Sequence, residues 1–201
     1  MAIDIVILPP ESIMDLTIGW NRRLCEERPD NIALNKFDTL PHITLAMGCL
    51  SEQHVPDVRS LLSKLAGRHS SLHLQVPRIK PVTSGSGNTV VTLDILASAL
   101  LVHLHEDITR SFGAFLTNDA VEDDLFDRPP IDPSSIQWIN RYLQDQSGDK
   151  FWPHVTVGFG NLPADFQPFS FTATRLAVCH LGNHCTCRKI LMEVELDTAD
   201  P

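Results

Sequence analysis

Apolar positions along this chain follow two different spacings, which predicts a mixture of strands and helices over the whole length. Residues 3–8 form an apolar run typical of a buried strand, interrupted by Asp4. Apolar residues at helical spacing predict helices over residues 11–27, 52–66, 97–108 and 135–144. Alternating or continuous apolar runs predict further strands at residues 40–47, 72–76, 89–95, 151–159, 171–180 and 189–196.

One break interrupts this pattern, at residues 119–135. A dense acidic cluster there is followed by Pro129, Pro130 and Pro133, which favours a long surface loop or flap. Because a single linker is weak evidence for two independent domains, we expect one α+β domain over residues 1–201.

An internal repeat carries the candidate chemistry. The chain contains Pro-His-Ile-Thr at residues 41–44 and Pro-His-Val-Thr at residues 153–156, each within a strand-like run. Residues i and i+2 of a strand project from the same face. His42 therefore shares a face with Thr44, and His154 shares a face with Thr156. The repeat predicts two similar strands that line one cleft.

Two histidines and two hydroxyls on such a surface suit proton transfer at a phosphate. Histidine titrates near neutral pH, so one imidazole can accept a proton from an attacking water or hydroxyl while the other protonates the departing oxygen. The threonine hydroxyls can donate hydrogen bonds to non-bridging phosphate oxygens. This chemistry requires no metal ion.

With these motifs the chain resembles the 2H phosphoesterases, which include the 2′-5′ RNA ligase-like proteins and the RNA 2′,3′-cyclic phosphodiesterases. Their signature is two His-x-Thr/Ser motifs with apolar neighbours. The resemblance implies a bilobal, pseudo-two-fold α+β fold, with antiparallel sheets facing each other across a central cleft and helices outside. It also implies that His42 and His154 are the catalytic pair and that Thr44 and Thr156 bind the substrate phosphate.

The expected function is that of a phosphodiesterase that needs neither metal nor cofactor. Its substrates would be 2′,3′-cyclic phosphate ends of RNA or small nucleotide cyclic phosphodiesters. For hydrolysis we assign the base to His154 and the acid to His42, although the roles depend on the direction of reaction. Two alternatives stay open: a nucleotide-binding module with little catalysis, and 2′-5′ RNA end joining.

Two further groups of residues are candidates for a role. Trp152 has the strand parity of His154, so it could face the cleft and stack on a base, or simply fill the core. A cluster of metal-ligating residues near the C-terminus would suit a metal site, but its sequence favours a hairpin turn. That cluster comprises His180, His184, Cys185 and Cys187.

Charge and cysteine content narrow the choice of partners. With 16 Lys and Arg against 25 Asp and Glu, the net charge of −9 argues against tracking along nucleic acid and favours a small nucleotide or an RNA end. No basic signal-peptide segment and no long apolar run is present, so no membrane association is expected. Five scattered cysteines fit a reducing, cytoplasmic location. The sequence specifies no protein partner.

Overall fold

The computed structural model describes residues 1–84, 87–162 and 166–197. The helices in these ranges are α1 (Glu11–Glu27), α2 (Val55–Ala66), α3 (Ala99–Phe112) and α4 (Pro133–Asp145). The strands are β1 (Ala2–Leu8), β2 (Ile43–Leu50), β3 (Leu72–Val76), β4 (Arg78–Thr83), β5 (Thr89–Asp94), β6 (Leu116–Thr117), β7 (His154–Phe159), β8 (Phe169–Ala173), β9 (Arg175–Leu181) and β10 (Cys187–Glu195). None of the described helices is both long and apolar enough to cross a lipid bilayer.

The strands form one large sheet and one small one. The large sheet has the order β10-β9-β1-β2-β7-β5-β4, with β6 paired to β2, and the small sheet pairs β3 with β8. Every strand pair is antiparallel. This arrangement confirms the α+β class and the antiparallel sheets expected from the sequence. The strands of the two motifs, β2 and β7, meet only through the pair Ile43 and Val155.

The structure corrects several predicted elements. Strand β4 was not predicted, because Lys80 and Pro81 break up its apolar character. The single strand expected at residues 171–180 is two strands, β8 and β9, which belong to different sheets. Helix α4 begins at Pro133, two residues earlier than predicted, because the Asp132 side chain accepts a hydrogen bond from the Ser134 amide and caps the helix.

The main core covers one face of the large sheet. Odd-numbered residues of β1, the first odd-numbered residues of β2 and the central residue of the second motif point into it, and α2 and α3 pack on the same side. Its members include Ile3, Ile5, Ile7, Ile43, Leu45, Leu62, Leu104, Phe112 and Val155. The motif strands are therefore anchored through the residues between each histidine and threonine.

The opposite face of the sheet carries two smaller apolar clusters with a polar gap between them. Ala2 of β1 and Met47 of β2 pack under α4 in one cluster. Val6 and Leu8 of β1 belong to the other, together with residues of α1. Asp4, which lies between Ala2 and Val6 on this face, belongs to neither cluster. The candidate site lies at this gap.

Two asparagines complete the edge of β7 where β2 no longer pairs with it. Asn21 of α1 donates a hydrogen bond to the Val157 carbonyl oxygen at 2.7 Å. Asn31 donates to the Phe159 carbonyl oxygen at 2.7 Å and accepts from the Phe159 amide at 2.8 Å. These bonds satisfy backbone groups that would otherwise lack partners, and they tie the N-terminal helix to the strand of the second motif.

Candidate active site

The structure brings the two motifs together on one face. Each motif lies at the start of its strand. Ile43 and Val155, the residues between histidine and threonine in the two motifs, form an antiparallel pair. That register sets His42 level with Thr156, and Thr44 level with His154. Ile43 and Val155 are 0% and 1% exposed and point into the main core, so the four polar side chains project from the other face.

Both imidazoles are held in the same orientation. Nδ1 of His42 lies 2.7 Å from the Leu40 carbonyl oxygen, and Nδ1 of His154 lies 3.0 Å from the Trp152 carbonyl oxygen. A carbonyl oxygen only accepts hydrogen bonds, so each Nδ1 carries its proton. In the neutral form each Nε2 therefore presents a lone pair. This matched tautomer is what a pair of acid–base groups requires.

Both imidazoles are neutral in the free protein at neutral pH. The pKa of His42 is lowered from 6.5 to about 4, mainly by burial; the hydrogen bond to the Leu40 carbonyl oxygen raises it, and the electrostatic influence of His154 lowers it. Burial also lowers the pKa of His154, with a smaller contribution from Lys80 in the same direction. The His42 side chain is nevertheless 15% exposed, so a ligand can reach it.

A network of charged and aromatic side chains supports His154. The Trp152 ring stacks on the His154 imidazole, with centroids 4.2 Å apart and planes inclined by 20°. Trp152 Nε1 donates a 2.6 Å hydrogen bond to Asp94 Oδ1, while Arg78 Nε donates a 2.7 Å bond to Asp94 Oδ2. Because Asp94 is paired with His154 in the β5–β7 ladder, this network fixes the imidazole from the neighbouring strand.

The Trp152 indole has little free surface for a nucleotide base. Lys80 Nζ lies over the ring, 4.1 Å from its centroid, and the His154 imidazole lies at almost the same distance. The indole ring is thus already in contact with a cation and with an imidazole. The geometry assigns Trp152 to positioning His154, and base stacking on it stays a prediction.

The surroundings of the first motif differ from those of the second. Thr44 Oγ1 lies 2.7 Å from Asp4 Oδ2, and the same carboxyl oxygen lies 3.5 Å from His42 Nε2. Among the described residues, none forms a hydrogen bond with the hydroxyl of Thr156. That hydroxyl is thus free to donate to a ligand, whereas the hydroxyl of Thr44 already has a partner.

The sequence analysis missed four polar residues around the motifs: Asp4, Arg78, Lys80 and Asp94. A charge inside an otherwise apolar strand was a usable signal for Asp4, because every residue of β1 is buried. Asp94 and Lys80 carried no such signal, since each comes from a strand that contacts the motif only after folding.

The C-terminal cluster of histidines and cysteines forms the predicted hairpin turn between β9 and β10. Its members contact separate partners: His180 Nε2 lies 2.9 Å from the Asp124 carbonyl oxygen, and His184 Nδ1 lies 3.7 Å from Asp132 Oδ2. The structure does not bring His180 and His184 together as ligands of one metal.

Two other groups of side chains have ligand atoms within 4.8 Å of one another, in the part of the chain that the structure describes. The first is Asp4, His42 and Cys187; burial raises the pKa of the carboxyl and of the thiol, so a metal would have to displace a proton from each. The second is His69, His103 and Asp107, whose carboxylate oxygens already contact His69 and Arg110.

Comparisons with known proteins agree with this geometry. A family model described as the 2′-5′ RNA ligase superfamily matches residues 37–183, which include both motifs. No curated protein matches the chain.

Several solved structures share the fold. TT0787 of Thermus thermophilus is 16% identical, with a TM-score of 0.59 and 100% of both chains covered. A phosphoesterase is 14% identical over 98% of this chain and 99% of its own, with a TM-score of 0.51. LigT of E. coli, in complex with 3′-AMP, is 16% identical over 96% of this chain and 97% of its own, with a TM-score of 0.52.

Proposed function

Because the chain belongs to the 2′-5′ RNA ligase superfamily of 2H phosphoesterases, we propose that it is a metal-independent phosphodiesterase. Its substrates would be 2′,3′-cyclic phosphates at RNA ends or in small nucleotides. The observation that carries this proposal is the matched pair of imidazoles, each with Nδ1 bound to a carbonyl oxygen and Nε2 left for chemistry. Such a pair supplies a base and an acid on one surface.

The proposed hydrolysis needs one proton transfer at each imidazole. A water oxygen attacks phosphorus while the neutral imidazole accepts a proton from that water. The bond from phosphorus to the 2′ or 3′ oxygen breaks, and the protonated imidazole gives its proton to that oxygen. The product is a phosphomonoester with one free hydroxyl. Thr44 and Thr156 would donate to the non-bridging oxygens, where negative charge increases in the transition state.

The substrate itself would supply the charge that keeps one imidazole protonated. Both histidines have lowered pKa values in the free protein because burial disfavours their cations. A bound phosphodiester places a negative charge beside both rings and therefore raises their pKa values. Substrate binding would thus allow one imidazole to be protonated and act as the acid while the other stays neutral and acts as the base.

A nucleotide fits the site better than long nucleic acid. The net charge of −9 opposes binding along a polyanion but permits one phosphate in a local site. LigT of E. coli was solved with 3′-AMP, and a nucleoside 3′-phosphate is one of the two products that opening a 2′,3′-cyclic phosphate can give. The free thiols of the chain fit a reducing, cytoplasmic location, which we include in the proposal.

The proposal is tested by replacing the histidines separately. His42→Ala and His154→Ala should each lower kcat for a 2′,3′-cyclic mononucleotide by about 10²–10⁴-fold, the usual contribution of a general acid or base. His73→Ala is the matched control, because His73 is an exposed strand histidine of the small sheet. Full turnover by both motif variants would refute the proposal. Loss of wild-type activity in EDTA would refute metal independence.

The division of roles can be measured with an activated leaving group. When a 4-nitrophenyl phosphodiester is cleaved, 4-nitrophenolate departs without protonation, so the variant lacking the acid should retain its rate on that substrate. The variant lacking the base should stay impaired. The prediction from sequence, with His42 as the acid, requires rescue of His42→Ala and not of His154→Ala.

The family match favours one second candidate, 2′-5′ RNA end joining. The same residues would serve, because a 5′-hydroxyl would take the place of the attacking water, and this joining is the reverse of cleaving a 2′-5′ linkage. Incubation with RNA that carries 2′,3′-cyclic phosphate and 5′-hydroxyl ends would show joined product if this reaction takes place. Calorimetric binding of a mononucleotide without turnover of any substrate would instead identify a binding module.

A further inference from the structure

Asp4 of β1 places a carboxyl group on the face of the sheet that carries the candidate site. Its neighbours on that face, Ala2 and Val6, belong to the two apolar clusters beside α4 and α1. Asp4 itself is 0% exposed. A carboxylate placed there would lose its hydration, which is unfavourable unless a cation or several hydrogen bonds compensate.

The structure provides little compensation for a charge on Asp4. Oδ2 has the Thr44 hydroxyl at 2.7 Å, while Oδ1 has no hydrogen-bond partner among the described residues. Burial accordingly raises the pKa of Asp4 well above its usual range. In the described ranges, titratable groups face it from every packed element: His42 just before β2, Tyr142 of α4, Cys179 of β9, Cys185 of the β9–β10 turn and Cys187 of β10.

The protonation state of Asp4 decides what Thr44 can do. A hydroxyl has one proton to donate and two lone pairs that accept. If Asp4 is ionised it has no proton, so the 2.7 Å contact requires Thr44 to donate to the carboxylate. If Asp4 is protonated, it can donate to Thr44, and the single Thr44 proton is then available to a ligand.

We propose that Asp4 is a positioning residue that donates its carboxylic acid proton to Thr44, which directs the Thr44 hydroxyl proton toward a phosphate oxygen. This inference rests on the proposed function, since it assigns the use of the Thr44 hydroxyl in that site. Thr156 needs no such partner, because its hydroxyl already lacks one among the described residues. The two halves of the site therefore prepare their hydroxyls in different ways.

Ionisation of Asp4 would impair phosphate binding in two ways. Thr44 would turn its proton toward the carboxylate, and a negative charge would appear 3.5 Å from His42 Nε2, where a phosphodiester must approach. Losing a hydrogen bond to a charged group should lower kcat/KM at least about tenfold. The rate would fall as pH rises through the pKa of Asp4.

The first test measures the protonation of Asp4 in the wild-type protein. Carbon-13 NMR of the aspartate carboxyls, followed over a pH titration from mildly acidic to alkaline, should show one aspartate that keeps its proton at neutral pH. An Asp4→Asn sample identifies its resonance, and the titration itself needs no variant. If every aspartate is ionised at neutral pH, the inference is wrong.

The second test compares turnover of a 2′,3′-cyclic mononucleotide by wild type and Asp4→Asn. The asparagine amide can donate to Thr44 as the acid does, so kcat/KM at neutral pH should stay within about threefold. At any pH where NMR shows Asp4 ionised, the wild-type rate should fall and the variant rate should not. Asp57→Asn, an exposed change on α2, is the matched control.

The outcomes separate this inference from the proposed function. A loss of more than about tenfold in Asp4→Asn at neutral pH would show that the carboxylate form is required and would overturn the inference. So would the same alkaline decline in both proteins. Absence of turnover in wild type with a protonated Asp4 would refute the proposed function, while the NMR result would stand.

Discussion

Folding keeps His42 neutral in a buried position, and this should make the protein sensitive to acid in a measurable way. The pKa of His42 falls from 6.5 in an unfolded chain to about 4 in the folded protein. A depressed histidine pKa means that the unfolded state binds the proton more tightly. The stability associated with His42 is therefore present above pH 6.5 and is lost as pH falls toward 4.

The size of the effect follows from the two pKa values. Each unit of difference corresponds to about 1.4 kcal/mol, so protonation of His42 should cost about 2 kcal/mol of unfolding free energy by about pH 5 and about 3 kcal/mol by about pH 4. His42→Asn removes this titration but retains an N–H that can reach the Leu40 carbonyl oxygen. Urea denaturation of both proteins at about pH 7, 5 and 4 gives the difference, in which other titrating groups cancel.

The reasoning would be refuted if wild type and His42→Asn lost the same stability over that acid range. His73→Asn serves as a control, because it makes the same replacement at an exposed histidine of the small sheet. Proton NMR of the imidazole provides an independent check. A His42 resonance that titrates near the ordinary value of 6.5 would mean that the ring is hydrated rather than buried.

Three further changes test the surroundings of the second motif. Gly158→Ala should lower the free energy of unfolding by about 1–3 kcal/mol, because φ is +150° at this position and an added Cβ would lie 2.9 Å from the side-chain oxygen of Asn31. An unchanged midpoint of urea denaturation would contradict this. Trp152→Phe keeps a ring on His154 but removes the hydrogen bond to Asp94, so it should cost about 1–3 kcal/mol, less than Trp152→Ala; equal losses would contradict the stacking. Lys80→Met should raise the pKa of His154 in an NMR titration, because the lysine charge disfavours the imidazolium. A lower pKa of His154 in the variant would show that Lys80 does not disfavour the protonated ring.

The residues of the motifs could be predicted from sequence because a repeat compares the chain with itself. Two copies of Pro-His-x-Thr, together with the period of two in strands, predicted that His42 shares a face with Thr44 and that His154 shares a face with Thr156. The same period placed the intervening residues in the core, where Ile43 and Val155 lie. This part of the site depends on local geometry, which sequence spacing encodes.

The supporting residues depend on contacts between strands that are distant in sequence. Asp4 reaches Thr44 across the β1–β2 ladder, whose register shifts between Ile5 and Val6. Lys80 reaches Trp152 through β4, a strand whose proline and charges hide its pattern. No spacing rule relates these positions, so only the folded structure shows them together.

The single residue pair between β2 and β7 has a practical consequence for protein engineering. A chain cut between residues 119 and 132 would carry His42 on one fragment and His154 on the other. Neither fragment alone would then contain both the acid and the base. Recovery of turnover on mixing would then report reassociation of the pieces. The site could in this way serve as a split reporter whose signal begins only when Ile43 meets Val155.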